Sequence, residues 1–230
     1  MKTIEIIIPT RNRLEKLNRT IRTIPEEAAG ARLAIVVICD ADTETTRAMA
    51  RESRVARCIL VPEHSGSVHC RNLATRMTEG DFIYATDDVA FEPGAFTAAI
   101  EAMAEHFPDG DGIVGFMQIG GGKYSPAGVA LVGQRFLQRY PNKLLFYPGY
   151  FHFSAQEIEF AGIRLNKLHL EKKAGLVHFH PKTNRAERDE THIEARKHRQ
   201  ADLALSNARQ AAGLIWGLTD FNIPPIFTRP

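Results

Sequence analysis

Two adjacent carboxylates, Asp87 and Asp88, follow the short apolar run Phe82-Ile83-Tyr84-Ala85. An acidic pair at the carboxyl end of a buried strand can hold a divalent cation or accept from ribose hydroxyls. The same pair also suits a plain turn, where both side chains meet only water. Position decides between the two. Thr10 follows the run Ile6-Ile7-Ile8-Pro9, and Asp40 follows Val36-Val37-Ile38-Cys39. Each could simply cap the next helix, and Arg71 could be an ordinary surface arginine. But the carboxyl ends of parallel strands lie side by side along one sheet edge, where open α/β sheets bind ligands. Thr10, Asp40 and Asp87-Asp88 together at that edge predict a pocket. Further along, Leu176-Val177-His178-Phe179-His180 puts two imidazoles on one side of an extended segment, because side chains alternate. Surface or locally bonded histidines are the plainer reading of that pair.

The elements that must position these groups are legible from pattern. Lys2–Pro9 and Leu33–Cys39 are β-branched runs of the kind found in buried parallel strands. Cys58–Pro62 and Asp81–Ala85 give two shorter strands. Between them, Leu14, Leu17, Ile21 and Ile24 recur at helical spacing until Pro25, and Thr43–Arg54 and Val68–Thr78 also read as helices. This alternation of strand and helix predicts a mostly parallel central sheet with right-handed crossovers, flanked by helices. Pro93-Gly94 opens a further helix, Ala95–His106, and Gly112–Ile119 returns to strand. The Gly120-Gly121-Gly122 run lacks phosphate-loop spacing. Val129–Tyr140 fits helix or strand equally. Ser154–Leu168 reads as a helix with Ser154 as N-cap. Ala174–His178 is a last strand. Lys182–Asp202, dense in both charge signs, reads as a solvated loop or helix face. Ala201–Leu214 is again helical, and the tail with Trp216 is expected on the surface.

The 230 residues suit one domain of two lobes. We expect a nucleotide lobe over residues 1–116 and a smaller acceptor lobe with a C-terminal segment over 117–230. A net charge of +2 offers no field that would favour nucleic acid. Three cysteines without a C-x-x-C pair argue against a disulfide framework and for a reducing compartment. With no basic-then-apolar leader, the expected location is the cytoplasm. No apolar run approaches the length of a membrane span, which leaves only peripheral membrane contact open.

Four segments, in order and spacing, resemble family 2 glycosyltransferases of the GT-A fold. They are Ile6–Arg13, Val36–Asp40, Arg71-Asn72 and Gly80–Gly94. The resemblance is good over about the first 100 residues and fainter beyond. It implies a nucleotide site built from Pro9, Thr10, Arg11, Arg13, Asp40, Arg71 and Asp87. In it, Asp40 would accept from the base edge and Asp87 would lie near the ribose. Asp88 matches the family's metal-binding aspartate. The family's usual first acid of D-x-D is Thr86 here, a departure that bears on metal affinity. The resemblance also implies a late histidine at the metal, His178 or His180. Gln156–Phe160 resembles the family's acidic motif in the acceptor lobe, which implies a base at Glu157, with Glu159 as the alternative. Residues two apart on a helix do not face one site. An acid interacting with the helix dipole explains either residue as simply.

The implied reaction moves a sugar, with inversion, from a nucleoside-diphosphate sugar to an acceptor hydroxyl. UDP-sugar is the first expectation, with GDP- and dTDP-sugars open. Mn²⁺ or Mg²⁺ would neutralise charge on the departing diphosphate. The acceptor is left open among a glycan, a lipid-linked acceptor and a protein. A nucleotidyltransferase would carry a glycine-rich loop after the first strand, where this chain has Pro9-Thr10-Arg11-Asn12-Arg13. A binding module that has lost turnover is the main alternative, and Thr86 and Glu157 are the departures that support it.

Overall fold

A computed structural model describes residues 1–120, 124–152, 155–180, 185, 187 and 189–224. The expected N-cap Ser154, the glycines Gly121 and Gly122, and much of 181–188 lie outside the described residues. The chain forms strands β1 (Lys2–Thr10), β2 (Glu27–Ala28), β3 (Ala31–Asp40), β4 (Val55–Val61), β5 (Phe82–Tyr84) and β6 (Val89–Phe91). Strands β7 (Ile113–Ile119), β8 (Ala130–Val132) and β9 (Leu168–His178) complete the sheet. The helices are α1 (Leu14–Arg22), α2 (Thr43–Met49), α3 (Gly66–Met77), α4 (Ala95–His106), α5 (Gln134–Leu137), α6 (Gln156–Arg164) and α7 (Glu190–Ala211).

The apolar runs lie where burial on both faces demands them. Ile4, Ile6 and Ile8 of β1 join the core on the α1 and α4 side, whereas Ile7 joins Val36, Ile38 and Phe82 on the other. This is the two-residue alternation of a doubly covered strand. β1 pairs in parallel with both β3 and β5. The sheet runs β2-β3-β1-β5-β8-β7-β9-β6, with β4 also on β3.

The sheet is mixed rather than purely parallel, and its longer ladders are the parallel ones, as the expectation of a mostly parallel sheet requires. β1/β3, β1/β5, β3/β4 and β7/β9 are parallel; β2/β3, β5/β8, β6/β9 and β7/β8 are antiparallel. The antiparallel pairs come from strands of two or three residues, too short to carry a periodic signal. One of them is decisive for the site. β6 pairs with the end of β9 in a register that sets Val89 opposite His178.

Phe116, the expected end of the first lobe, lies in β7. Other expectations shift. Val129–Tyr140 divides into β8 and the single turn α5. β9 starts at Leu168, six residues before the expected Ala174. α7 starts at Glu190, so the charged segment is largely one long helix. Trp216 is fully buried rather than superficial, its Nε1 donating to the Leu144 carbonyl at 2.6 Å.

Candidate active site

The carboxyl ends of β1 and β3, the link from β5 to β6, the end of β9 and one face of α7 enclose a cavity of about 460 Å³. Every residue expected at the nucleotide lines it: Pro9, Thr10, Arg11, Arg13, Asp40, Arg71 and Asp87. So do the metal candidates Asp88, His178 and His180.

Local structure explains the convergence. Thr10 ends β1, and its hydroxyl donates to Asp87 Oδ2 at 2.8 Å. Arg13 precedes α1 and donates from Nη1 to Asp87 Oδ1 at 3.1 Å, with Asp88 Oδ2 at 3.6 Å. The Phe179 amide donates to the Asp88 carbonyl at 2.8 Å, which continues the β6/β9 ladder by one residue. That ladder brings His178 Nε2 to 3.1 Å from Asp88 Oδ1. His180 sits beyond a tight turn, its amide bonded to the His178 carbonyl. Its ring lies 5.3 Å from that of His178 and 4.9 Å from that of His192. Of the two candidates, His178 is the one in contact with Asp88.

The two carboxyls of the acidic pair are driven apart electrostatically. Burial pushes Asp87 up to about 6 against the pull of Arg13, and the neighbouring Asp88 adds to the rise. Burial opposes ionisation of Asp88 as well, but the His178 hydrogen bond and charge, with Arg13, hold it well below the usual carboxylate range. Asp88 is therefore the stronger acid of the pair.

Asp40 is held differently from Asp87. Its oxygens accept from His64 Nδ1 at 2.7 Å and from the Ser65 and Gly66 amides at 2.8 and 2.9 Å. It thereby fixes the start of α3. Gly66 has φ +85°, and a Cβ there would lie 2.5 Å from the Phe151 carbonyl, so glycine is required at this close approach. Three of the roughly four acceptor directions of the carboxylate are used. Arg71 is buried beneath the cavity, donating to the Ala85 carbonyl at 3.3 Å and lying near the rings of Phe146 and Tyr84.

The acidic motif on α6 is not brought to this cavity. Glu157 is buried elsewhere, and both its oxygens are taken. Oε1 accepts from Tyr150 Oη and Arg209 Nε, each at 2.6 Å. Oε2 accepts from Arg209 Nη2 at 2.9 Å and the Trp216 amide at 2.6 Å. Arg209 completes the cluster through Asp220. Glu159 points another way and accepts from Ser125 Oγ at 2.5 Å. It lies one turn beyond Ala155, which does line the cavity.

The face of α7 was missed by the reading of Lys182–Asp202 as a solvated surface. Asp189 caps the helix and takes Arg13 through Nε at 2.9 Å and Nη2 at 2.8 Å, with Lys16 on the same carboxylate. Thr191 Oγ1 donates to the Arg11 carbonyl at 3.1 Å. His192 Nε2 is 4.0 Å from Asp88 Oδ2, and Glu194 lies 3.1 Å from His64 Nε2. The available signal was helical: residues 191, 192, 195, 196 and 199 recur with the 3.6-residue period and line the cavity.

Residues 5–158 match the family model for glycosyl transferase family 2. The chain belongs to that family. No curated protein matches it by sequence. Among solved structures it resembles residues 1–349 of S. aureus TarS in complex with UDP-GlcNAc, at 15% identity and a TM-score of 0.63. That match covers 85% of this chain and 61% of the TarS fragment. It also resembles the mannosyltransferase PcManGT of Pyrobaculum calidifontis in complex with GDP-Man and Mn²⁺, at 17% identity and a TM-score of 0.64, over 97% and 66% of the two chains. A third is glucosyl-3-phosphoglycerate synthase of Mycobacterium tuberculosis, with Mn²⁺, UDP and glucosyl-3-phosphoglycerate, at 16% identity and a TM-score of 0.65, over 93% and 81%. The fold of this family is GT-A, and the mixed sheet flanked by helices agrees with it. Among the described residues no helix is long and apolar enough to cross a membrane.

Proposed function

We propose that the cavity binds a nucleoside-diphosphate sugar and that the protein transfers the sugar to an acceptor hydroxyl. The observation that carries this reading is the meeting of Thr10, Arg13, Asp87, Asp88 and His178 in one cavity. Family membership and the nucleotide-sugar complexes of similar folds support it. The first half of the chain would hold the nucleotide, and the later elements would face the acceptor.

The metal question rests on the donor set. Asp88 is a buried anion with an imidazole nitrogen beside it, a suitable corner for a hard divalent cation. Among the described residues no group of three or more His, Cys, Asp or Glu side chains is arranged to hold a metal by itself. Asp88 and His178 would therefore supply part of the shell, and the donor's phosphate oxygens would supply more. Mn²⁺ or Mg²⁺ bound there would offset the charge that grows on the leaving diphosphate.

The remaining roles follow from position. Asp87, joined to Thr10, would take the ribose. Asp40, through its last free acceptor direction and through His64, would meet the base edge. Arg13 would take the diphosphate once Asp189 yields it. Of the two α6 acids Glu159 is the better base candidate, its carboxylate half-exposed while Glu157 has no oxygen to spare, and to act it would have to reach an acceptor at the cavity edge from one turn beyond Ala155. A base on the far side of the sugar from the leaving group gives in-line attack and inversion.

The test is nucleotide release from UDP- and GDP-sugars with Mn²⁺, in the wild type and in Glu159→Gln. Turnover lost in the variant with nucleotide affinity kept supports the transferase reading. Nucleotide binding with no turnover under any acceptor would favour the second reading, a binding module. Its supporting observation is that Glu157, at the family's base position, is fully engaged by Arg209.

A further inference from the structure

Outside the cavity, Cys39 of β3 and Cys58 of β4 place their sulfurs 3.8 Å apart, in direct contact. Strand register puts them there. Val37 pairs with Cys58 and Cys39 with Leu60, so the two thiols are diagonal neighbours on one face of adjacent parallel strands. Cys39 is fully buried in the core on the α1 and α4 side, whereas Cys58 is half-buried. Among the described strands β4 pairs with β3 alone, so Cys58 stands on an edge strand that can shift without breaking a second ladder. Cys70 is buried on the opposite face of the sheet.

The two thiols are unequal. A hydrogen bond from Cys39 lowers the pKa of Cys58 against the effect of burial, while the same bond and burial raise that of Cys39. Cys58 is thus both the first to ionise and the one that solvent reaches, the two properties of a reactive thiol. The pair also sits one rung from groups assigned to the nucleotide. The next pairing along the ladder is Asp40 with Val61, and the Ala41 amide donates to the Val61 carbonyl at 2.8 Å. β4 then leads directly into His64, Ser65 and Gly66, the three residues that hold the Asp40 carboxylate.

We propose that Cys39 and Cys58 are a redox modification site, oxidised by a peroxide to a reversible disulfide that weakens nucleotide binding at Asp40. The effect on binding rests on the transferase reading above; the disulfide itself does not. In the first step the Cys58 thiolate attacks one peroxide oxygen, the O–O bond breaks, and the departing oxygen takes a proton. In the second, the Cys39 sulfur attacks the Cys58 sulfenic acid, forms the S–S bond and expels its oxygen as water. Two thiols and one hydrogen peroxide thus become one disulfide and two waters. Bonding brings the sulfurs from 3.8 Å to ~2.0 Å. β3 and β4 must give by the difference, and the first rung beyond the bond carries Asp40.

The experiment treats the fully reduced protein with hydrogen peroxide, blocks the remaining thiols by alkylation and maps the peptides by mass spectrometry. A Cys39–Cys58 cross-link, a loss of two hydrogens from the intact mass and full reversal by a dithiol reductant are expected. UDP affinity with Mn²⁺, by calorimetry, should fall about fivefold on oxidation and recover on reduction. Cys39→Ala should stop at a sulfenic acid on Cys58, trapped by a diketone reagent, and Cys58→Ala should form no cross-link. Oxygen added to the wild-type sulfurs without a cross-link, or a cross-link to Cys70, overturns the site. A cross-link that leaves UDP affinity unchanged overturns its effect on the nucleotide. The wild type alone gives these outcomes, whether or not the variants fold. Reduced protein that binds neither UDP nor GDP refutes the transferase reading instead, and the cross-link still reports on the thiol pair.

Discussion

Two buried acidic clusters in this protein are built from the same residue types and behave as opposites. In one, Asp87 and Asp88 face a cavity, share Arg13, and have their acidities driven in opposite directions. In the other, Glu157 and Asp220 clasp Arg209, which also lies 3.4 Å from the Tyr147 ring centre. The second cluster is closed: Arg209, Tyr150 and a backbone amide take every strong acceptor position of Glu157. The first is open, with acceptor capacity directed at the cavity. Burial alone does not make an acid functional; what counts is whether its partners exhaust it.

The sharpest way to break this contrast is Glu157→Gln. It puts an amide N–H against Arg209 or Trp216 and leaves a buried guanidinium underpaired. The expected loss is about 3–5 kcal/mol of stability, read by chemical denaturation, with turnover per folded molecule retained. Lost turnover at unchanged stability would make Glu157 the base and erase the contrast. Asp88→Asn tests the open cluster. Nucleotide-sugar turnover should fall about 10²–10³-fold, with the denaturation midpoint nearly unmoved. A large stability loss there would show that the open cluster is structural too.

Asp189→Asn probes the seam between the open cluster and α7. It weakens the hold on Arg13 and Lys16, so cleavage near the start of α7 by a protease should speed up about tenfold in the absence of nucleotide. UDP with Mn²⁺ should protect the wild-type segment, as a lid that orders over the donor requires. Protection unchanged by nucleotide and metal would remove the lid. The smallest effect is expected at Asp111, an intermediate case held by Arg139 and Lys167. The Arg139 hydrogen bond outweighs burial and lowers its pKa below 3.8. The unfolded chain thus takes up this proton first as pH falls. The stabilisation is complete above the unfolded value and is lost as pH drops through the lower folded one. Asp111→Asn should flatten that acid limb, by about 1–2 kcal/mol.

The strand-end half of the cavity was legible in the sequence because its residues sit at the ends of strands that announce themselves. β1 and β3 are β-branched runs, and Thr10 and Asp40 follow from counting to their ends. The contact of His178 with Asp88 was not legible, since it depends on β6, three residues long and paired with residues far along the chain, from Val89 with His178 to Phe91 with Leu176. Glu157 misled for a related reason. Its motif is local, but its engagement depends on Arg209, 52 residues on, and a local pattern says nothing of such a partner. The face of α7 was hidden by composition. Mixed charge reads as solvent-facing until the tertiary fold turns one stripe inward.

Arg13 and Asp189 stand 176 positions apart in the chain and within 2.8 Å in space. During synthesis the strand ends that form the floor of the cavity emerge first. At ordinary translation speed, roughly 10–35 s pass before the residues that cap the roof leave the ribosome. Through that interval the acidic pair and Arg13 have no α7 over them. Contacts of such separation also form late in folding, because closing a long loop is slow. A growing chain thus carries an unroofed cleft until α7 is made.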